Sequence, residues 1–131
     1  LTTWMEQYPE TPVVMTHGFL WTLFADKDGF QLPDELWQPF ENPNLSLQIL
    51  LPIGLGDKFD YPLPQAQPLL RDLVRNIGAD RLMWGTDMPI VMRHWTYQQN
   101  IDFIVKYCDF LSKQELALIM GGNTKRLLGL S

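Results

Sequence analysis

Apolar residues fall along this chain in two patterns. Val13-Val14-Met15-Thr16, Leu45 to Leu51 and Arg81 to Gly85 are short, mostly apolar runs, bounded by proline, glycine, histidine or asparagine. They are too short for buried helices and predict buried strands. Between them, apolar residues recur every three or four positions. Leu1, Met5 and Tyr8 share one helix face, and Pro9 and Pro12 stop that helix. Leu69, Leu70, Leu73, Val74 and Ile77 stripe a helix from about Gln67 to Ile77, with Pro68 in its first turn and Gly78 at its C-terminal cap. Tyr97, Ile101, Ile104, Val105 and Cys108 mark another buried helix face, and Leu116, Ile119 and Met120 a further one.

The helix starts are written locally as well. Thr96 with Gln99, and Ser112 with Glu115, have the spacing of capping boxes. Phe19 to Phe30 predicts a short helix followed by a turn at Asp28-Gly29, and Pro33-Asp34-Glu35 opens another short helix through Leu36, Trp37 and Phe40. Gly121-Gly122 is expected to break the helix after Ser112, with Asn123 capping a last one through Leu128. The order is helix, strand, helix, strand, helix, strand, helix, helix. Short, uniformly buried strands separated by helices predict an α/β fold with a parallel sheet. Residues 1–131 carry no repeat and no linker, so one domain is expected.

Composition narrows the function. A net charge of −5 without a basic run argues against nucleic acid or an anionic membrane as partner. No apolar run approaches the ~20 residues of a membrane span, and no signal-peptide pattern opens the chain. The single cysteine, Cys108, excludes an internal disulfide and fits a reducing, cytoplasmic compartment. The chain starts at Leu1 within what reads as a helix, which suggests a piece of something longer.

Two residues carry the candidate chemistry. Asp87 follows the strand Arg81 to Gly85, and Pro89 behind it ends any ladder because it has no N–H. His17 follows Val13 to Thr16 in the same way. The carboxyl ends of parallel strands are where ligands bind in such sheets. A carboxylate there needs a metal, a cation or hydrogen bonds. The bland alternatives are an Asp87 that caps the next turn or pairs with Arg81 or Arg93, and a His17 bonded to backbone. His94 and Arg93, in the loop after Asp87, are candidates for substrate contact, Arg93 through its bidentate fork. Asp57 and Asp60 lie in the loop from Ile53 to Pro64 and read as surface acids.

Three segments in fixed order carry a family resemblance: Val13-Val14-Met15-Thr16-His17-Gly18, Arg81-Leu82-Met83-Trp84-Gly85-Thr86-Asp87-Met88-Pro89, and Gly121-Gly122-Asn123-Thr124-Lys125-Arg126-Leu127-Leu128. Together they resemble the C-terminal part of the amidohydrolase-related (amidohydrolase 2 type) metal-dependent hydrolases, which have a TIM-barrel fold. The resemblance implies that the three strands are strands 6–8 of a (β/α)8 barrel, incomplete as given, since a closed barrel needs ~200 residues or more. It implies a divalent metal, zinc before others, at the barrel mouth. Family ligands are a His-x-His pair on strand one, a histidine on strand five and an aspartate on strand eight. Asp87 matches that aspartate, and His17 matches the acid/base histidine of strand six. No His-x-His occurs in this chain, so the remaining ligands are absent from it.

The reaction so implied is attack of metal-activated water on an amide, ester or lactone-type bond of a small organic substrate. Non-oxidative decarboxylation is the alternative on the same scaffold. The missing strands would come from the same parent chain or from another copy, the latter in a homo-oligomer. A different class also stays open: a non-catalytic interaction or assembly module, if these 131 residues are the whole biological unit.

Overall fold

A computed structural model describes residues 1–19, 21–26, 28–51, 55 and 58–130. Three short parallel strands, β1 (Val13–Met15), β2 (Leu45–Ile49) and β3 (Leu82–Trp84), form one sheet in sequence order. The register pairs Val13 with Leu45 and Met15 with Leu47, then Leu47 with Leu82 and Ile49 with Trp84. Gly85 extends the ladder by donating its N–H to the Ile49 carbonyl at 3.1 Å.

The strands alternate as a pleat requires. Leu45, Leu47 and Ile49 are buried on one face, whereas Ser46 and Gln48 point to the other and are half-buried. The buried face meets α2 (Ala66–Ile77) and α3 (Tyr97–Tyr107). There Leu69, Leu70, Leu73 and Ile77 join Phe103 and Ile104 in one core with Leu82. α2 follows the predicted stripe and stops where Gly78 takes φ +99°. α3 opens on the expected capping box: Thr96 Oγ1 accepts from the Gln99 N–H, and Gln99 Oε1 accepts from the Thr96 N–H. Ser112 and Glu115 do the same for α4 (Lys113–Ala117). α1 (Thr2–Gln7) lies ahead of β1 and buries Met5.

Several sequence expectations shift. Among the described residues, the segment after β1 carries a 3-10 turn, Trp21–Leu23, in place of a short helix. The Asp26 carboxylate captures the N–H groups of Asp28 and Gly29, so the chain turns back and Ala25 bridges Phe30. Asp34–Glu41 is also 3-10 rather than α, with Pro39 inside it. β3 starts at Leu82 because Arg81 belongs to a 3-10 turn, Ala79–Arg81.

Near the C-terminus, Gly121 leaves helical geometry within a π-type turn, Leu118–Gly122, as the glycine pair predicts. Asn123 does not cap α5 (Asn123–Leu127), however. It is buried inside the helix, and its Nδ2 donates across to the carbonyls of Ala79 and Leu82, each at 2.7 Å. Two acceptors on the strand side, the Ala79 carbonyl (which also accepts from the Leu82 N–H) and the Leu82 carbonyl, take the amide in place of the helix terminus. Among the described residues, no helix is long and apolar enough to cross a membrane.

Candidate active site

The parallel sheet delivers the residues after β1 and β3 to the same edge. His17 and Asp87 meet there, with Nε2 3.8 Å from Oδ2. That is too long for a hydrogen bond and within ion-pair range when the imidazole is protonated. The histidine side chain is 66% exposed and the aspartate 32%, so the pair opens to solvent.

The backbone at both residues is unusual. His17 has φ +64° and Asp87 φ +51°, in the left-handed region that L-residues avoid. Each such residue costs of order 1–3 kcal/mol unless its surroundings impose it. Here the turn out of the strand does so. After Asp87 the chain reverses, its carbonyl accepting from the Ile90 N–H at 2.8 Å, and a 3-10 turn, Ile90–Arg93, follows. Behind His17, Gly18 has φ +65° and lies against the Trp21 ring, where a Cβ would come 3.1 Å from Cζ2. Asp and His tolerate this region better than most side chains, and the strand exits use that tolerance to aim them.

The bland pairing of Asp87 with Arg81 is excluded. The Arg81 guanidinium donates to the carbonyls of Ile77, Phe40 and Asn42 at the opposite end of the sheet. Arg93 and His94 are exposed further along the Asp87 loop. Asp60 is exposed, and Asp57 lies outside the described residues. Cys108 is buried, and burial, with Asp109 nearby, pushes its thiol up to about 12, so it is not a nucleophile at neutral pH.

One polar residue was passed over by sequence reading: Gln48, inside Leu45 to Leu51. Its place opposite Leu47 and Ile49 in the alternation puts it on the face turned away from the helices. A Cβ on Gly85 would come 2.7 Å from Gln48 Nε2 and 2.8 Å from Leu50 Cδ2. The glycine before Asp87 thus leaves room for these two side chains. The alternation of Ser46 and Gln48 with leucine and isoleucine was the signal available.

Histidine nitrogen and carboxylate oxygen are donors of the kind zinc takes, and atoms 3.8 Å apart lie within reach of one ion with bonds of ~2.0–2.2 Å. Catalytic zinc usually takes three protein ligands. Among the described residues no group of three or more His, Cys, Asp or Glu gathers for a metal. In kind the pair fits a metal; in number it is part of a site.

The family model described as amidohydrolase matches residues 1–130. The chain belongs to the amidohydrolase family. No curated protein sequence matches it. Two crystal structures of an amidohydrolase from Burkholderia multivorans are similar in fold. One, with bound zinc, is 17% identical with a TM-score of 0.78; the other, with bound HEPES, is 16% identical with a TM-score of 0.73. Each match covers 99% of this chain and 48% of the other, so the chain spans about half the length of these structures. The three parallel strands of this amidohydrolase chain accordingly correspond to part of a TIM-barrel scaffold.

Proposed function

We propose that the intact protein hydrolyses an amide, ester or lactone-type bond of a small organic substrate at the mouth where His17 and Asp87 converge. The observation that carries this reading is the pair itself: two strand-end side chains, both on left-handed backbone, held 3.8 Å apart and open to solvent. Strained backbone that serves no packing purpose is a mark of functional positions.

Asp87 would hold one position on a divalent metal, zinc first, with the remaining ligands supplied from outside this chain. Such a metal lowers the pKa of water toward neutrality and polarises a carbonyl. His17 is the proton carrier: its exposed Nε2 faces both Asp87 and the solvent from which a substrate arrives. Asp87, besides binding the cation, orients that imidazole through their ion pair. Arg93 and His94 lie on the same loop as Asp87 and are proposed to meet the substrate's outer, anionic part. β1 and β3 are the sheet's edge strands. The missing barrel strands, from the same parent chain or another copy, are proposed to pair with them, since exposed parallel edges are otherwise sticky.

The test uses the full-length protein, with bound zinc and turnover measured together. Asp87→Ala should lose metal or at least ~100-fold in activity. His17→Ala should keep its metal and slow turnover by about 10²–10⁴-fold, the usual worth of a general acid or base. Equal metal loss in both variants would overturn this division of labour. Aromatic and unsaturated acids belong in the same assay with CO2 release as readout, because the decarboxylase alternative uses the same two side chains.

A further inference from the structure

The His17 imidazole is held by little of its own. Among the described residues its nitrogens make no hydrogen bond, and its approach to Asp87 spans 3.8 Å. Its place is therefore set by the backbone it hangs from, a turn of two consecutive left-handed residues, His17 and Gly18. Against that turn lies Trp21, 2% exposed. A Cβ on Gly18 would come 3.1 Å from the indole Cζ2, 3.2 Å from Nε1 and 3.3 Å from Cε2, so the backbone rests where the two rings fuse. Trp21 is itself anchored. Its ring meets Phe19 edge-on at 5.2 Å, and Phe19 meets the buried Phe40 at 6.1 Å. The indole Nε1, by contrast, is buried without a hydrogen-bond partner among the described residues. A donor left so costs free energy, and phenylalanine would fill a core position without that cost. What the tryptophan adds is the width of its fused ring against Gly18.

We propose that Trp21 is a positioning residue for the His17–Asp87 pair. Its indole, fixed to the core through Phe19 and Phe40, braces the His17–Gly18 turn and so keeps the exposed imidazole facing the carboxylate. Gly18 is part of the same device, because its missing Cβ lets the turn close onto the ring. Trp21 touches neither substrate nor metal in this account; it acts through His17 alone. The inference rests on the reading of His17 as proton carrier and adds what holds that carrier in place.

Two readouts on the full-length zinc-loaded protein test this. In crystal structures, Trp21→Phe should keep zinc content and the place of Asp87, while the imidazole loses its single position facing the carboxylate. An imidazole unmoved in Trp21→Phe would overturn the proposal, whatever the reaction. In kinetics on a panel of aryl esters, anilides and γ-lactones, Trp21→Phe should lower kcat about 10- to 100-fold, with KM within about twofold of wild type. Gly18→Ala presses a Cβ onto the ring from the other side and should do the same; it carries the test if Trp21→Phe does not fold. Placed on His17→Ala, Trp21→Phe should cost nothing further in kcat, because its effect passes through the imidazole. A tryptophan that only supports the fold would lower the melting temperature and slow both backgrounds alike, and that result would refute the positioning role. A His17→Ala variant as fast as wild type, or a panel that wild type leaves untouched, would instead overturn the hydrolytic reading, and the crystal structures alone would then decide whether Trp21 holds the imidazole.

Discussion

The two ends of the three-stranded sheet are built on opposite principles. At the N-terminal end, side chains are spent on backbone. Asn123 reaches the carbonyls of Ala79 and Leu82, Arg81 those of Ile77, Phe40 and Asn42, and Arg126 that of Asp80. At the C-terminal end His17 and Asp87 adopt left-handed backbone and face each other across 3.8 Å, without a hydrogen bond between them. One end ties side-chain donors to main-chain carbonyls, some of which also accept a backbone N–H; the other leaves an imidazole and a carboxylate open to solvent. In an amidohydrolase scaffold this separation has a physical sense. Loops that hold reacting groups need open valences, and the strain that aims them must be offset by rigid structure elsewhere.

The largest stability effect is therefore expected at the N-terminal end. Asn123→Ala removes both N–H donors from a buried site, taking the side-chain partner from the Leu82 carbonyl and leaving the Ala79 carbonyl only the Leu82 N–H. The cost is ~2–3 kcal/mol, read as a lowered urea midpoint at unchanged slope. Activity per folded molecule should survive. A variant that loses activity while keeping its stability would dissolve the contrast between the two ends.

Asp87→Asn is the mirror experiment. Asparagine tolerates the left-handed region at least as well as aspartate and cannot be a full carboxylate. Stability should stay within ~0.5 kcal/mol of the parent, as for surface changes that break no packing, while turnover falls sharply. A large loss of stability would mean that the His17–Asp87 pair is structural after all.

The smallest effect concerns the layer between the ends. Burial raises the Cys108 thiol from 9.0 to about 12, with Asp109 adding to the shift. Because the folded state holds the proton more tightly, this contribution is fully present below pH 9 and is lost as pH rises from 9 toward 12. Thermal melting between pH 8 and 11 should fall, and Cys108→Ala should flatten part of that fall. Tyr61, raised to about 12 by burial and its bond to Tyr107, contributes a slope of the same sign that remains in the variant.

Much of the architecture is legible in the residue order because it is local. The stripe of Leu69, Leu70, Leu73 and Ile77, the stop at Gly78 and the two capping boxes depend on neighbours within four positions, and the structure has them as read. The three apolar runs needed only their length and their flanking breakers to be strands. Asp87 and His17 were legible as candidates because an ionisable residue two or three positions past a buried strand stands out, and because the motif around Asp87 resembles a known family.

What the residue order alone did not decide depends on partners far along the chain. Asn123 carries every local mark of a cap, yet its amide goes to acceptors more than forty positions away, at Ala79 and Leu82. Asp26 trapped the backbone N–H groups of its own turn and cut the helix after β1 to a 3-10 fragment. Asp and His are among the non-glycine residues that most often take left-handed backbone, but that His17 and Asp87 do so here follows from how the chain leaves a paired strand. Nor could the residue order say that a Cβ at Gly85 would run into the side chains of Gln48 and Leu50, more than thirty positions earlier. The chain by itself thus determined which segments are strands and helices and which two residues end them, since those choices are made over a few residues. Parallel pairing put both strand ends on one edge of the sheet, with β2 between them, and the left-handed turns after β1 and β3 closed the remaining gap to 3.8 Å; both depend on the assembled sheet and not on the sequence between the strands.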